Sequence, residues 1–184
     1  MMKARIPFLL FVLLASTTVY AGDFTLTSPT IISGSFLTEE QVFNGFGCSG
    51  KNQSPALEWT GIPEGTKSFA ITVYDPDAPT GSGWWHWVVY NIPANVTEIA
   101  EGAGDPTGRL LPAGAVQGRT DFGTHAFGGA CPPKGDKPHR YIFTVYALKI
   151  EKIDVPGDST AALIGFMINA NTIDKAGFTA MYGR

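Results

Sequence analysis

Short runs of β-favouring residues, cut repeatedly by glycine and proline, limit this chain more than any other feature. The runs fall at 24–27, 56–59, 68–74, 85–92 and 140–149. Between them stand Gly61-Ile62-Pro63, Asp75-Pro76-Asp77-Ala78-Pro79 and Pro132-Pro133-Lys134-Gly135. Proline can neither continue a helix nor donate to a ladder, and glycine supplies the positive φ of tight turns. The 22 glycines and 13 prolines among 184 residues exceed the ~12% of an average protein and argue against a helical bundle. The spacing predicts a mostly β fold, an antiparallel sandwich of two sheets. One helix is expected over 159–171, capped by Asp158 or Ser159, with Leu163, Phe166, Met167 and Ala170 on one face against a sheet.

The chain has a core to bury. Hydrophobic residues make up 44% and charged residues 16%, which excludes a disordered polymer. A net charge of −3 offers no basic surface for gripping phosphate backbones, so nucleic acid is not an expected partner. The first residues are of another kind. Lys3 and Arg5 precede the apolar run Pro7 to Ala15, and Val19-Tyr20-Ala21 places small residues where a signal peptidase reads. That run is too short for a membrane span and no other long apolar segment follows. Residues 1–21 are therefore expected to be a cleaved signal peptide, with an uncleaved anchor as the alternative. The remainder, 22–184, is expected to be a single periplasmic or secreted domain with no integral membrane segment.

Both cysteines, Cys48 and Cys131, lie in that remainder. In an oxidising compartment a single pair favours a disulfide over two buried thiols or one catalytic thiol. The bridge would close a loop of roughly 84 residues, for which the chain-entropy model gives roughly 4–5 kcal/mol.

Three polar clusters carry whatever chemistry there is. In Asp75-Pro76-Asp77-Ala78-Pro79 two prolines stiffen a strand-end loop, so both carboxylates leave it in fixed directions; the plain reading is a turn with solvated acids. In Trp84-Trp85-His86-Trp87 strand alternation puts His86 on one face with Val88, as a lone hydrogen-bonded core histidine is often placed. In His139-Arg140-Tyr141 alternation sends His139 and Tyr141 to one face and Arg140 to the other. Two imidazoles, a phenol and loop amides make a donor-rich pocket suited to an anion, with the carboxylates orienting and charging the imidazoles. The long glycine- and proline-rich stretch 100–137 holds Phe122, Phe127, His125 and Cys131, as an ordered loop layer tied to the body would.

Catalytic patterns are absent from the sequence. No G-x-S-x-G, H-E-x-x-H, P-loop or C-x-x-C occurs. Three histidines with Asp75 and Asp77 could hold zinc, but their spacing does not single that out. Acids two residues apart on one loop are poorly placed to flank a glycosidic bond. No metal and no cofactor is expected.

Taken together the clusters resemble the phosphatidylethanolamine-binding protein family, also called Raf-kinase-inhibitor-like, in its bacterial YbhB/YbcL type. The matching blocks are Asn52-Gln53-Ser54-Pro55 with Leu57 and Trp59, then Asp75 to Pro79, then Trp84 to His86 with Asn91-Ile92-Pro93. Gly128-Gly129-Ala130-Cys131-Pro132-Pro133 and His139-Arg140-Tyr141 follow in family order. The resemblance implies a Greek-key β-sandwich with a few peripheral helices and a shallow pocket for phosphate-like head groups. It implies that Asp75, Pro79, His86, His139 and Tyr141 line the pocket, that Asp77 supports the loop from behind, and that Gly129 to Pro132 form one wall. Phe127 stands where many relatives carry tyrosine, and Phe166 where many bacterial relatives carry histidine. The expected function is thus an exported, non-catalytic binding protein for a small anionic or phosphoryl ligand. The alternatives are a protein-interaction or inhibitor module using 100–137, such as a protease inhibitor or host-directed factor, and a weak hydrolase or transferase at His86 and His139.

Overall fold

The computed structural model describes residues 22–184; the expected signal peptide, 1–21, lies outside the described residues. In chain order the elements are β1 (Thr25–Thr27), β2 (Asn44–Gly45), β3 (Cys48–Ser49), β4 (Leu57–Thr60), β5 (Ser68–Asp75), β6 (Trp84–Pro93), β7 (Glu98–Ile99), β8 (Val116–Gln117), β9 (His139–Leu148), α1 (Ala161–Asn171) and β10 (Thr172–Tyr182). They form a five-stranded sheet of order β10-β9-β5-β6-β8, a three-stranded sheet β1-β4-β7 and the hairpin β2-β3. Every ladder is antiparallel. The fold is mostly β, as expected, and the described residues hold a single α-helix where the resemblance implied a few.

Burial explains why the central strand reads as an unbroken apolar run. One face of the large sheet, with Phe69, Ile71, Val73, Trp87, Val89, Phe143 and Val145, packs on Leu26, Leu57, Trp59 and Ile99 of the small sheet. Its other face, with Ala70, Val88, Tyr90 and Leu148, packs on Ala161, Ile164 and Ile168 of α1. β5 is covered on both sides, so both of its residue sets are apolar and alternation disappears.

Two features of α1 differ from expectation. Thr160, not Asp158 or Ser159, is the N-cap; its hydroxyl accepts from the Leu163 amide at 3.2 Å. The buried face is Ala161, Ile164, Gly165 and Ile168, while Leu163 and Phe166 are 44% and 67% exposed. Ala-Ala-Leu-Ile-Gly-Phe-Met-Ile is apolar on every side, so periodicity selects no face. Packing selects it: Gly165 lies close against the Trp85 ring, where a Cβ would meet it at 3.4 Å.

Strand β10 was not anticipated. It leaves the helix with no intervening loop and pairs with β9 from Thr172↔Leu148 to Tyr182↔His139. As an edge strand it carries Asp174, Lys175 and Gly177, residues that blunt an edge and mask the strand signal.

Candidate functional site

The site sits where β5, β6 and β9 end together. Asp75 closes β5, and the prolines after it turn the chain back at once. One carboxylate oxygen accepts from the Asp77 and Ala78 amides at 2.8 and 3.1 Å; the other accepts from His139 Nδ1 at 2.7 Å. Asp75 is 2% exposed, and three donors satisfy it. His139 opens β9, with its second ring nitrogen 3.5 Å from the exposed Asp136 carboxylate. Tyr141 follows on the same face, as alternation predicts.

His86 reaches the site by a different route from the one alternation suggests. Val73 faces Trp87 and Tyr74 faces Trp85, so β6 holds one residue more than β5 at this point. His86 is that residue, and such a bulge re-aims a side chain. Instead of following Val88 to the helix side, its ring stands edge-on to Tyr141, centroids 5.0 Å apart. The Nδ1–H donates to the Gly128 carbonyl at 2.6 Å, which leaves Nε2 as the free nitrogen.

Asp75, Pro79, His86, Pro132, His139 and Tyr141 all line one concavity of about 220 Å³. Gly129, expected in the wall, does not, and neither does Asp77, expected to support the loop from behind. Asp77 turns outward to Arg140, which grips its carboxylate with two side-chain donors at 2.9 and 2.7 Å. Gly129 stands behind the wall: a Cβ there would meet the Gln41 carbonyl at 2.3 Å, and its amide donates to Asn52 at 2.7 Å. Asn52 thus positions the wall from the side away from the cavity. Phe127 is buried edge-on to Trp87 in the sandwich core, exposed His125 donates from Nδ1 to the Gln117 carbonyl at 3.0 Å, and Phe166 lies on the outer face of α1.

The opposite lip brings Phe46 and Phe122, which the motifs had not marked, together with Trp84 of the Trp-Trp-His-Trp cluster. Phe46 is the tip of the β2-β3 hairpin, and the Cys48–Cys131 bridge, Cα to Cα 6.0 Å, ties that hairpin to the Cys131-Pro132 wall. The disulfide expected from the cysteine count is present. The signal for Phe122 was its place among glycines in the long loop; Phe46 had none.

The electrostatics correct one expectation. The carboxylates were expected to keep both imidazoles charged. Burial instead pushes His86 below its ordinary pKa, with the Gly128 carbonyl and Asp75 opposing it less strongly. Burial, and secondarily the Asp75 charge, pushes Tyr141 upward, so its hydroxyl stays protonated. Outside the cavity, the bonds from Arg140 hold Asp77 down at about 2. The Tyr141 hydroxyl is buried and has no hydrogen-bond partner among the described residues. No group of three or more histidine, cysteine or acidic side chains suited to a metal ion occurs among the described residues, and no described helix is long and apolar enough to cross a membrane.

The family model described as phosphatidylethanolamine-binding protein matches residues 27–183. The chain is 62% identical over 162 residues to the protein YbcL of Escherichia coli, covering 88% of each. It is 50% identical over 157 residues to E. coli YbhB, covering 85% of this chain and 98% of that protein. The crystal structure of E. coli YbcL superposes with a TM-score of 0.87 at 61% identity, over 89% of this chain and 99% of that one. On the matched model, the strand order and the ordered site blocks, this chain belongs to the phosphatidylethanolamine-binding protein family.

Proposed function

We propose that the protein is an exported, non-catalytic binding protein whose concavity takes a small phosphoryl or comparable anionic ligand. One observation carries this reading: Tyr141 lines the cavity, and its buried hydroxyl has no hydrogen-bond partner among the described residues. A buried unpaired donor costs roughly 1–3 kcal/mol until an acceptor arrives, and an anion oxygen is such an acceptor. The size agrees. At about 220 Å³ the cavity falls below the ~300–1,000 Å³ usual for drug-sized ligands, so a head group fits and acyl chains do not.

The same groups supply little for catalysis. Both cysteines are bridged, Asp75 is saturated by three donors, and Tyr141 holds its proton. Export is supported by the basic and apolar start of the sequence and by the disulfide.

His86 sets the pH response. With Nδ1–H committed to Gly128 and the ring neutral, Nε2 is an acceptor, so a fixed anion binds only as the ring takes up a proton. Asp75 and Asp121 are the charges that favour that uptake. Binding raises a pKa that burial had lowered. Sulfate affinity therefore falls as pH rises, approaching about tenfold per pH unit between the free and bound values. Calorimetric titration with sulfate from pH 5.5 to 8, on wild type, Tyr141→Phe and His86→Gln, tests this. Loss of about tenfold in affinity is expected for Tyr141→Phe, and a flattened pH profile for His86→Gln. Sulfate affinity unchanged in both variants would remove the concavity as the anion site.

A further inference from the structure

The lip of the cavity is built at a cost that folding alone does not explain. Phe46 and Gly47 form the two-residue turn between β2 and β3, with φ of +53° and +81°. Positive φ at both positions is the pattern of a type I′ turn, in which asparagine, aspartate or glycine is favoured at the first position. A bulky side chain there strains the backbone, and its ring is also 68% exposed. Both the backbone and the side chain are unfavourably placed.

The ring is nonetheless held in position. The disulfide anchors one side of the hairpin. The Arg184 guanidinium donates to the carbonyls of Phe46, Gly47 and Pro132 at 3.3, 3.0 and 2.7 Å, fastening the tip to the opposite wall. Phe46 lies nearly parallel to Phe122, 13° between planes and 5.9 Å between centroids. Phe122 also touches His86 and, edge-on, Trp84, each at 5.4 Å. An unbroken aromatic surface therefore runs from the imidazole at the cavity floor to a fixed ring at its mouth.

We propose that this surface seats a flat, uncharged ring carried by the ligand, so that the site selects aryl phosphate esters over alkyl esters and inorganic phosphate, with Phe46 the residue that determines the preference. The proposal rests on the phosphoryl reading above and adds the chemistry of the ester group. Ring faces at the mouth offer stacking. A cationic head group finds no free carboxylate among the lining residues, since Asp75 already accepts three hydrogen bonds.

Calorimetry at fixed pH with phenyl phosphate, methyl phosphate, inorganic phosphate and phosphocholine separates the possibilities. Phenyl phosphate is expected to bind about tenfold tighter than methyl phosphate. In Phe46→Asn that advantage disappears, while the melting temperature stays equal or rises because asparagine tolerates positive φ. Phe46→Trp keeps the preference. Equal affinity for phenyl and methyl phosphate, a preference for phosphocholine, or an undiminished phenyl preference in Phe46→Asn overturns the proposal and leaves the phosphoryl reading standing. Failure of all four probes to bind the wild type overturns that reading, and this proposal with it.

Discussion

The two sides of the cavity are made on opposite principles. The floor is built from strand ends: Asp75, His139 and Tyr141 are buried, belong to paired neighbouring strands and are fixed by the ladder beneath them. The lip is a two-strand hairpin of four paired residues, with exposed residues at its tip, fixed by a disulfide and by one arginine. The floor gets its geometry from the core and cannot change without disturbing it. The lip gets its geometry from cross-links, and its side chains can vary while its position holds. A recognition floor of constant chemistry under an exchangeable rim is what that division permits.

The contrast is most exposed to failure at Asp75. Replacing it with alanine strands two backbone amides and the His139 ring in a buried place, and a loss of about 3–5 kcal/mol is expected in urea unfolding. A loss below about 1 kcal/mol would show that the carboxylate does not organise the floor.

Reducing the Cys48–Cys131 bridge should cost less, about 2–4 kcal/mol, the usual measured range and below the chain-entropy ceiling for its loop, and its damage should be local. Hydrogen exchange is expected to quicken at β2, β3 and the Cys131-Pro132 wall while amides of β5 and β9 stay protected. Loss of protection across β5 and β9 on reduction would mean that the two sides are one unit after all.

The smallest effect belongs to Asp77 and Arg140, a pair just outside the floor that is partly exposed, at 30% and 52% of the side chains. Asp77→Asn is expected to cost under about 1 kcal/mol. The folded pKa lies below its ordinary value, so the pair's contribution is present above pH 3.8 and disappears as pH falls toward about 2. Unfolding of wild type and variant followed across that window checks it; a difference that grows on acidification would reverse the assignment.

Sequence reasoning reached the floor because its signals are local. Alternation alone places His139 beside Tyr141, and two prolines announce the turn after Asp75. Alternation failed at His86, which the family resemblance alone placed in the pocket, for a physical reason: a bulge leaves no mark in Trp-Trp-His-Trp, where each residue suits either face, and only pairing with β5 reveals the extra one. Sequence reasoning also misjudged the charge of that ring, because burial depth is a property of the assembled sheet. Phe46 was invisible because its role comes from a hairpin closed by partners at positions 131 and 184. The face of α1 and the whole of β10 were lost where composition was uniformly apolar or was diluted by edge residues.

The order of strands in the large sheet carries a consequence for how the molecule comes into being. β5 lies between β6, its immediate successor, and β9, whose first residue, His139, is 64 positions beyond the Asp75 it binds. The hairpin with β6, then the short β8, can assemble early; β9 and β10, and the floor with them, wait for a later part of the chain. Closure over such separations is slow, in the millisecond-to-second range common for non-local β proteins. A growing chain cut short before β9 would have most of its apolar residues and no site, so binding competence arises only in the finished molecule and is the last property it acquires.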